Sequence, residues 1–287
     1  MDTYKLFGNT LIYEAKEYQG LPLLNFFMDY QLSKKERYLY LQEKRILIHH
    51  QAVKNVNTII DGPLTIHLRE EDIDCKIGNK SIEVIYEDDF VYAAYKEAGI
   101  IIHGEEDCFN HRAALYQLEH NMHFPIRPLH RLDKETQGLI LLSKIPFFQP
   151  YLDHALKEKE IKRNYIAICK GRSTIGKEFV IDSPIGRDRH DGKKYRVSKT
   201  GKNALTKAKV IKTDKDTTTF FCTLETGRTH QIRVHLASMG FPIVNDPLYG
   251  QKDPHFKHMG LWAKEICYIQ PLTKERILIQ DKDRDLS

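Results

Sequence analysis

The sequence predicts an α+β protein in which strands outnumber helices and most neighbouring strands are antiparallel. Short stretches rich in aliphatic, aromatic and threonine residues recur from residue 84 onward, and most follow one another without an intervening helix. Few segments show the apolar spacing of an amphipathic helix. The first 70 residues hold helices and short strands of their own, which indicates a small α+β module ahead of a larger domain.

The N-terminal module is expected to cover residues 1–70, with a leader strand or loop over 1–20. A first helix is predicted over 23–30, because apolar residues recur at helical spacing and Pro22 suits the first helical position. Ser33 and Glu36 form a capping-box signature before a second helix that ends near Gln42. Short strands are then expected over 45–50, 52–53 and 64–68.

Residues 71–82 are polar and charged, and they are predicted to link this module to a domain over residues 83–287. Strands in that domain are predicted over 84–86, 90–95, 138–143, 165–169, 204–211, 218–224 and 260–263. Helices are predicted over about 111–119, 147–157 and 229–239. Since the strands do not alternate strictly with helices, we expect a mixed, mostly antiparallel central sheet with flanking helices.

Composition excludes several classes of protein. No apolar run of 18 residues occurs, and the N-terminus lacks a basic start followed by an apolar stretch, so neither a membrane span nor export is expected. The five cysteines are far apart and form no Cys-x-x-Cys pair, which favours a reducing cytoplasm over a disulfide framework or a zinc site. No nucleotide-binding glycine motif is present, so no cofactor is expected.

The net charge of +5 is compatible with nucleic-acid binding but does not indicate it alone. The segment 193–202 is more informative, because it carries five positive charges in ten residues with a tyrosine among them. Such a segment can follow a phosphate backbone and offer a ring for stacking. The alternative is a solvated basic loop.

The segment 130–138 places one carboxylate, Asp133, between Arg131 and Lys134 and just ahead of the apolar run 139–142. Four consecutive aliphatic residues predict a buried strand, so Asp133 is expected on a rigid turn at the edge of the core. A carboxylate held in that way is suited to chemistry. The alternative is a surface turn in which Asp133 pairs with a neighbouring cation.

A second segment, 227–236, follows a strand-like stretch and contains Arg228 just before a predicted helix. Thr229 suits the N-cap of that helix, and Gly240 is a stop signal after Met239. An arginine in this place is a permanently charged fork that can hold a carboxylate through two hydrogen bonds. Phosphate binding or a surface ion pair remains the alternative.

These two segments together closely resemble motifs of the RluA-type pseudouridine synthases, which carry His-Arg-Leu-Asp and, later, Gly-Arg-x-His-Gln-Ile-Arg. The resemblance runs from about Val84 to Gln280. Further matching stretches, in the family's order, are 161–167, 201–206 and 246–250. Departures include Gln137 in place of a usual Ser and Asn245 in place of a common Gly, although Asn tolerates the left-handed backbone that such a position needs.

The resemblance implies the pseudouridine synthase fold, with a bent central sheet crossed by a cleft, and the conversion of uridine to pseudouridine in RNA. That reaction breaks the N1–C1′ bond, turns the base and joins C5 to C1′, without metal or cofactor. Asp133 corresponds to the acid at the ribose, either as a nucleophile at C1′ or as a base at C2′, and these two routes remain open.

The resemblance also assigns the residues around that acid. Because burial disfavours its charged form, Asp133 needs a guanidinium partner, for which Arg228 is the candidate. Tyr165 is expected to stack on the uracil, and Arg131 to enter the space that the everted base leaves. The remaining candidates for substrate contacts are His130, Leu139, Ile232 and Lys162, with Leu139 and Ile232 as walls of the uracil pocket. The histidines lack metal-ligand spacing, so no metal is expected.

The N-terminal module resembles the alpha-L RNA-binding motif, with several lysines and arginines near its helices and His49-His50 at a turn where Asn-Gly is common. The alternative is a small domain that only packs on the catalytic core. Ribosomal RNA is the expected substrate, with transfer RNA as the alternative. A non-catalytic RNA-binding or ribosome-assembly factor is the alternative from another class, and a monomer is the default.

Overall fold

The computed structural model describes residues 3–68, 83–100, 126–282 and 284. Its strands form a five-stranded sheet within the first 68 residues, a ten-stranded sheet in the rest of the described chain, and a separate two-stranded hairpin. The described fold is therefore α+β, as predicted.

The N-terminal sheet is built from β1 to β5 in the order β1-β2-β5-β3-β4, with every pairing antiparallel. Its strands are β1 (Tyr4–Phe7), β2 (Thr10–Tyr13), β3 (Ile46–Ile48), β4 (Gln51–Ala52) and β5 (Leu64–His67). The leader is thus a hairpin that belongs to the sheet. The turn between β3 and β4 holds His49 and His50, both with positive φ (48° and 63°), so histidines occupy left-handed positions that favour Asn and Gly.

Two helices cross this sheet, α1 (Leu23–Asp29) and α2 (Lys34–Gln42). Helix α1 begins at Leu23, as predicted, but Pro22 is the residue before the helix and not its first residue, because the Pro22 backbone is extended (ψ 143°). The capping box of α2 is confirmed: Ser33 N–H donates to Glu36 Oε2 at 2.7 Å, and Glu36 N–H donates to Ser33 Oγ at 3.2 Å. These bonds satisfy backbone donors that the first helical turn leaves free.

The ten-stranded sheet contains β6 to β11 and β14 to β17. Its central order is β11-β14-β15-β10-β16-β9-β7-β6, with β17 beside β16 and β8 beside β9. The bounds are β6 (Glu83–Glu87), β7 (Val91–Lys96), β8 (Arg127–Pro128), β9 (Gln137–Ser143), β10 (Lys162–Lys170), β11 (Glu178–Asp182), β14 (Leu205–Thr213), β15 (Thr217–Leu224), β16 (Leu261–Ile269) and β17 (Arg276–Gln280). Among the described strands β9 and β16 form the one parallel pair, so the sheet is mixed and mostly antiparallel, as predicted.

Several elements differ from the sequence predictions. Strands β8, β11 and β17 were not predicted, nor was the hairpin of β12 (Ile185–Arg187) and β13 (Tyr195–Val197). The predicted helix over 147–157 is a short 3₁₀ turn (Pro146–Phe148) followed by α3 (Gln149–Lys157). The predicted helix over 111–119 lies outside the described residues. Of the described helices, none is long and apolar enough to cross a membrane.

Helix α4 (Gln231–Ser238) begins two residues later than predicted, because His230 has a left-handed backbone (φ 57°) that interrupts the helical conformation. Its end is as predicted, since Gly240 adopts φ 82° just after Met239. Because the helix begins at Gln231, the side chains of the 227–236 segment that point inward differ from those predicted.

One hydrophobic cluster joins the N-terminal module to the larger sheet. We call its rings the aromatic cluster, which consists of Phe26, Tyr30, Tyr40, Phe147 and Phe148. The Phe26 and Phe147 rings stack at 6.0 Å, Tyr30 meets Phe148 edge-on at 5.4 Å, and the Tyr30 hydroxyl donates to Pro271 O at 3.1 Å. The module therefore packs on the larger domain. The predicted linker 71–82 is outside the described residues, so the domain boundaries stay a prediction.

A second hydrophobic cluster is formed by buried side chains of β10, β15, α4 and neighbouring strands. It includes Leu132, Tyr165 and Ile232. Gly138, the second residue of β9, allows this part of the chain to approach that cluster closely. This glycine has φ 112°, and a Cβ there would collide with the backbone of Ala263 on β16. Its close approach brings the 130–138 segment against β16 and next to β10.

Candidate active site

Asp133 lies in the loop between β8 and β9, and backbone hydrogen bonds fix that loop. Leu129 N–H donates to Leu141 O at 2.9 Å, and Thr136 N–H donates to Asp133 O at 3.1 Å. His130 completes the anchor, since its Nε2 accepts the Leu141 N–H at 3.1 Å. The loop is thus bound to the strand that follows it.

His130 is a structural residue, which corrects its prediction as a substrate contact. Its side chain is buried, and burial together with the nearby charge of Arg163 lowers the pKa of His130 to about 3. The ring is therefore neutral. Because its Nε2 accepts the hydrogen bond from the backbone, the ring hydrogen resides on Nδ1.

A buried lysine holds the same loop from the side of β7. Lys96 Nζ donates to Glu97 O and to Lys134 O, both at 2.9 Å, and Gly99 N–H donates to Lys134 O at 2.8 Å. Burial lowers the pKa of Lys96 to about 8, although the charges of Glu135 and Asp133 act in the opposite direction. Lys96 thus places a cation against the loop, where it binds the carbonyl oxygen of Lys134, the residue that follows Asp133.

The guanidinium partner of Asp133 is Arg233. Its Nη1 donates to Asp133 Oδ2 at 2.9 Å, while Nε and Nη2 donate to the two oxygens of Asp246 at 2.8 Å each. We call these three residues the acid triad. The side chains of Asp246 and Arg233 are 0% and 3% exposed, whereas that of Asp133 is 26% exposed. One carboxylate of the triad is therefore accessible to a substrate, and the other is enclosed.

Asp246 is itself held by backbone donors, because its Oδ1 accepts the N–H groups of Leu248 at 2.9 Å and Tyr249 at 3.1 Å. Burial alone would lower the pKa of Arg233, but the hydrogen bonds and charge of Asp246, with those of Asp133, raise it above its ordinary value. Arg233 therefore remains a cation, and its orientation is fixed at three of its nitrogens.

The prediction that Arg228 pairs with Asp133 is wrong. Arg228 is exposed, and its Nε donates to Asn203 O at 2.9 Å. The Gln231 side chain accepts the Arg228 N–H at 3.0 Å and turns the chain ahead of α4, so Arg233, within the helix, points at the acid. The sequence did carry a signal: Arg233 lies between Ile232 and Val234, where an unpaired surface arginine is not expected.

His230 connects the acid to the β12–β13 hairpin. Its Nε2 lies 3.9 Å from Asp133 Oδ2, and its Nδ1 lies 3.0 Å from the Tyr249 hydroxyl. That hydroxyl also accepts the Tyr195 N–H at 2.7 Å, and the Tyr195 ring meets His230 edge-on at 5.5 Å. Burial lowers the pKa of His230, with the charge of Asp133 opposing that shift, so the imidazole is neutral near pH 7. Sequence reasoning missed Tyr249 and His230.

The apolar surface beside the acid is formed by Tyr165, Ile232 and Leu132, which share one cluster. Burial raises the pKa of Tyr165, and the nearby charge of Asp133 raises it further, so the phenol keeps its proton. Within the described residues its hydroxyl forms no hydrogen bond. Leu139 does not belong here: it is fully buried among the residues that pack with the aromatic cluster, so its prediction as a pocket wall is wrong. Leu132 takes that place.

The two predicted cations differ in their surroundings. Arg131 is exposed and forms no hydrogen bond or ion pair with the described residues. Arg131 lies near the hairpin. The pKa of Tyr195 is lowered chiefly by a hydrogen bond from Arg187, and the charge of Arg131 adds to that effect. Lys162 lies three residues before Tyr165 and so on the opposite face of β10, with its Nζ 4.0 Å from Glu225 Oε2. This corrects its prediction as a substrate contact.

Asn245 precedes the buried acid of the triad and adopts φ 54°, so it occupies a left-handed position, as its replacement of a common Gly indicated. Its side chain compensates for the cost of that backbone, because Nδ2 donates to Phe256 O and Oδ1 accepts the Asp253 N–H, both at 2.6 Å. Over residues 3–68, 83–100 and 126–282, no group of three His, Cys, Asp or Glu side chains is arranged to hold a metal.

Comparisons with known proteins identify the family to which the chain belongs. The family model described as RNA pseudouridylate synthase matches residues 91–238, a range that holds Asp133, Tyr165 and Arg233. The chain is 34% identical over 250 residues to the RNA pseudouridine synthase YhcT of Bacillus subtilis (strain 168), which covers 84% of this chain and 82% of that protein. It is 33% identical to ribosomal large subunit pseudouridine synthase D of Buchnera aphidicola subsp. Acyrthosiphon pisum (strain APS), over 80% of this chain and 74% of that protein.

Among solved structures, human RNA pseudouridylate synthase domain containing 1 matches with a TM-score of 0.58 at 22% identity. The match covers 72% of this chain and 86% of that one, and it shows the shared fold. The family match, the relatives and the fold together confirm the resemblance found in the motifs. The chain belongs to the family of RNA pseudouridine synthases, enzymes that isomerise uridine in RNA.

Proposed function

We propose that Asp133 is the catalytic acid of this enzyme, that it acts at the ribose of an everted uridine, and that the substrate is ribosomal RNA. The observation that carries the proposal is the acid triad. A partly exposed carboxylate is held at one oxygen by a buried guanidinium, which is itself fixed by a second, enclosed carboxylate. Such a group is oriented and remains available to a ligand.

The triad orients the carboxylate of Asp133. Arg233 donates a charge-assisted hydrogen bond of 2.9 Å to its Oδ2 and leaves the other oxygen available to a ligand. The carboxylate can serve either route to pseudouridine. In the first, it attacks C1′ as the N1–C1′ bond breaks, and the new Asp133–C1′ bond breaks when C5 of the turned base bonds to C1′. In the second, it removes the 2′ proton as the N1–C1′ bond breaks to give a glycal, and it returns that proton to C2′ as C5 bonds to C1′. In both routes C5 then loses its proton and N1 gains one.

The uracil is proposed to stack on Tyr165, with Leu132 and Ile232 beside it. These three side chains form an apolar surface next to the carboxylate, and stacking on the ring offsets part of the few kcal/mol that eversion of a base costs. The Tyr165 hydroxyl is protonated and free of hydrogen bonds to the described residues. It is therefore suited to relay the C5 proton during the last step.

Arg131 is proposed to occupy the space that the everted base leaves in the RNA. Its side chain is exposed, two residues from Asp133, and no contact with the described residues holds it in place. An exposed cation next to the site can enter a base stack and pair with phosphates as the uridine leaves it.

Two basic surfaces are proposed to bind RNA around the site. One is the hairpin segment 187–202, which contacts the site through Tyr195. The other lies on the N-terminal module, where Lys34 and Lys35 at the start of α2 are exposed. Ribosomal RNA is proposed because several similar proteins are named ribosomal large subunit pseudouridine synthase D, and transfer RNA remains the alternative substrate. We further propose a cytoplasmic monomer.

The test uses RNA transcribed in vitro with tritium at uridine C5, since formation of the C5–C1′ bond releases that label to water. Wild-type protein is expected to release label from ribosomal RNA, and Asp133→Asn protein to bind the RNA equally well and release none. Glu135→Gln is the matched control, because it removes a neighbouring carboxylate that is outside the triad. Normal release by Asp133→Asn protein would refute the assignment, and RNA binding without release by wild-type protein would favour a binding factor.

A further inference from the structure

A second cation near the site, Arg163, has no counter-ion among the residues that the structure describes. Arg163 is two residues before Tyr165 on β10, so the two side chains share one face of the strand. The Arg163 Nε is buried and has no hydrogen-bond partner. Within the described residues its terminal nitrogens also form no hydrogen bond or ion pair. Arg163 is thus partly buried, and within the described residues it is unpaired beside Tyr165.

Among the described residues, those next to Arg163 form no ion pair with it. The turn at Gly227 packs against its guanidinium, where a Cβ on that glycine would lie 3.3 Å from Nη1. Burial together with the nearby charge of Arg163 lowers the pKa of His130, so this neighbour is neutral and does not balance the guanidinium. Arg163 therefore presents a buried donor, its Nε, that these neighbours leave unsatisfied.

The acids around the site are already paired with other cations. Arg233 binds both Asp133 and Asp246, while Glu225 accepts a hydrogen bond from Lys207 at 2.8 Å and lies 4.0 Å from Lys162. A charge that is partly removed from water without a partner is costly. The missing partner of Arg163 is therefore expected to arrive with the substrate.

Charge and shape favour one kind of ligand group. A neutral uracil carbonyl would accept a hydrogen bond but would not balance a guanidinium, whereas a phosphodiester carries a full negative charge and two oxygens that match the planar fork. Along a strand, residues two apart are separated by about 6–7 Å, a distance that one extended nucleotide can span. A phosphate next to the base on Tyr165 is therefore within reach of Arg163.

We propose that Arg163 binds a backbone phosphate of the substrate RNA adjacent to the everted uridine. This inference rests on the proposed function, since it assumes that the uracil lies on Tyr165. In this arrangement the phosphate neutralises Arg163, the ring of Tyr165 holds the base, and Asp133 faces the ribose between them. Arg163 is then a substrate-binding residue that fixes the nucleotide at its backbone.

The test compares Arg163→Gln and Arg163→Lys with Lys162→Gln, a matched control that removes the adjacent cation on the opposite face of β10. The probe is an in vitro transcript of bacterial large-subunit ribosomal RNA with tritium at uridine C5. Removing one phosphate contact should raise KM about tenfold or more, and it should reduce the slope of log affinity against log salt by about 0.7–0.9. Arg163→Lys should restore the slope, and Lys162→Gln should leave KM and slope near the wild-type values.

Affinity is measured in the Asp133→Asn background, so the binding result stands whether or not the RNA is turned over. If the wild-type protein binds RNA but releases no tritium, the proposed function is refuted. The dependence of RNA affinity on salt would still show whether Arg163 contacts a phosphate. An unchanged slope in Arg163→Gln protein would overturn the inference, even with reduced turnover, because it would show that Arg163 only supports the Gly227 turn. Should that variant fail to fold, a wild-type slope in Arg163→Lys protein would support phosphate binding, and a reduced one would contradict it.

Discussion

The aromatic cluster and the acid triad both connect distant parts of the chain, but they do so by opposite physical means. The aromatic cluster joins the N-terminal module to the large sheet through rings that contact each other at 4.8–6.0 Å and expose almost no surface. The triad joins the loop of Asp133 to α4 through charged groups. The first arrangement is expected to supply stability, and the second to supply chemistry.

The energetics of the two regions explain the difference. Burial of one large apolar side chain contributes about 1.5–3 kcal/mol to stability, so several packed rings hold the module firmly. A buried ion pair contributes little net stability, because the loss of hydration offsets the attraction between the charges. Triad residues are therefore suited to orienting the carboxylate of Asp133. Mutations in the aromatic cluster should lower stability alone, whereas removal of the triad cation should lower both activity and stability, because it leaves a buried charge unpaired.

The largest effect on activity short of removing the acid is expected for Arg233→Gln. This change leaves Asp133 and Asp246 without their cation, so tritium release should fall by roughly 100-fold or more. Stability should also fall by about 3–5 kcal/mol, because an uncompensated buried charge remains. Arg228→Gln is the control within the same motif, and its turnover should stay within about threefold of wild type. Equal losses in the two variants would contradict the geometry of the triad.

The largest effect on stability alone is expected for Phe147→Ala, at the centre of the aromatic cluster. Loss of a buried ring that contacts Phe26, Tyr40 and Phe148 should cost about 3–5 kcal/mol in the free energy of unfolding, measured by urea denaturation. Phe7→Ala removes a ring that is 62% exposed, and it should cost less than about 0.5 kcal/mol. Similar costs for the two would show that the cluster does not hold the module.

A smaller, pH-dependent effect is expected for Lys96→Met. Because burial lowers the pKa of Lys96 to about 8 in the folded protein, the unfolded chain binds the proton more tightly. Stability of the wild type relative to the variant should therefore rise from pH 8 to 10.5, by about 3 kcal/mol at most, and stay constant below pH 8. Urea denaturation at several pH values measures this difference.

The smallest effect is expected for the pair Lys34→Gln and Lys35→Gln on the N-terminal module. If the module contacts RNA phosphates, the salt dependence of RNA affinity should become shallower by about 1–2 in slope, with turnover at saturating RNA unchanged. The pair Lys177→Gln and Lys215→Gln, exposed on the larger domain, is the control. An unaltered slope in the first pair would leave the module a packing role alone.

The sequence predicted the parts of the fold and of the site that depend on local pattern. Asp133 and Tyr165 were proposed through short motifs and remain proposals for the site, whereas the capping box of α2 followed from two side chains three residues apart and is confirmed. Strand β17 was missed because its short run, Arg276–Gln280, carries no turn signal as distinct as those around the other strands. The region of the predicted helix 111–119 is not described.

The errors in the site arose where a contact depends on helix phase or on strand facing. Arg228 and Arg233 belong to one motif, and the left-handed backbone of His230 decides which of them points at Asp133. Leu139 lies in a run that is apolar on both faces, so its pattern does not show which cluster it joins. His230 and Tyr249 become neighbours of the acid through tertiary contacts that no local pattern records.

The most direct test measures the initial rate of tritium release by Asp133→Asn and Phe147→Ala proteins, side by side, at a low temperature where both are folded. Our account predicts no release above the protein-free background for Asp133→Asn and nearly the wild-type rate for Phe147→Ala. Release at the wild-type rate by the Asp133→Asn protein would contradict it.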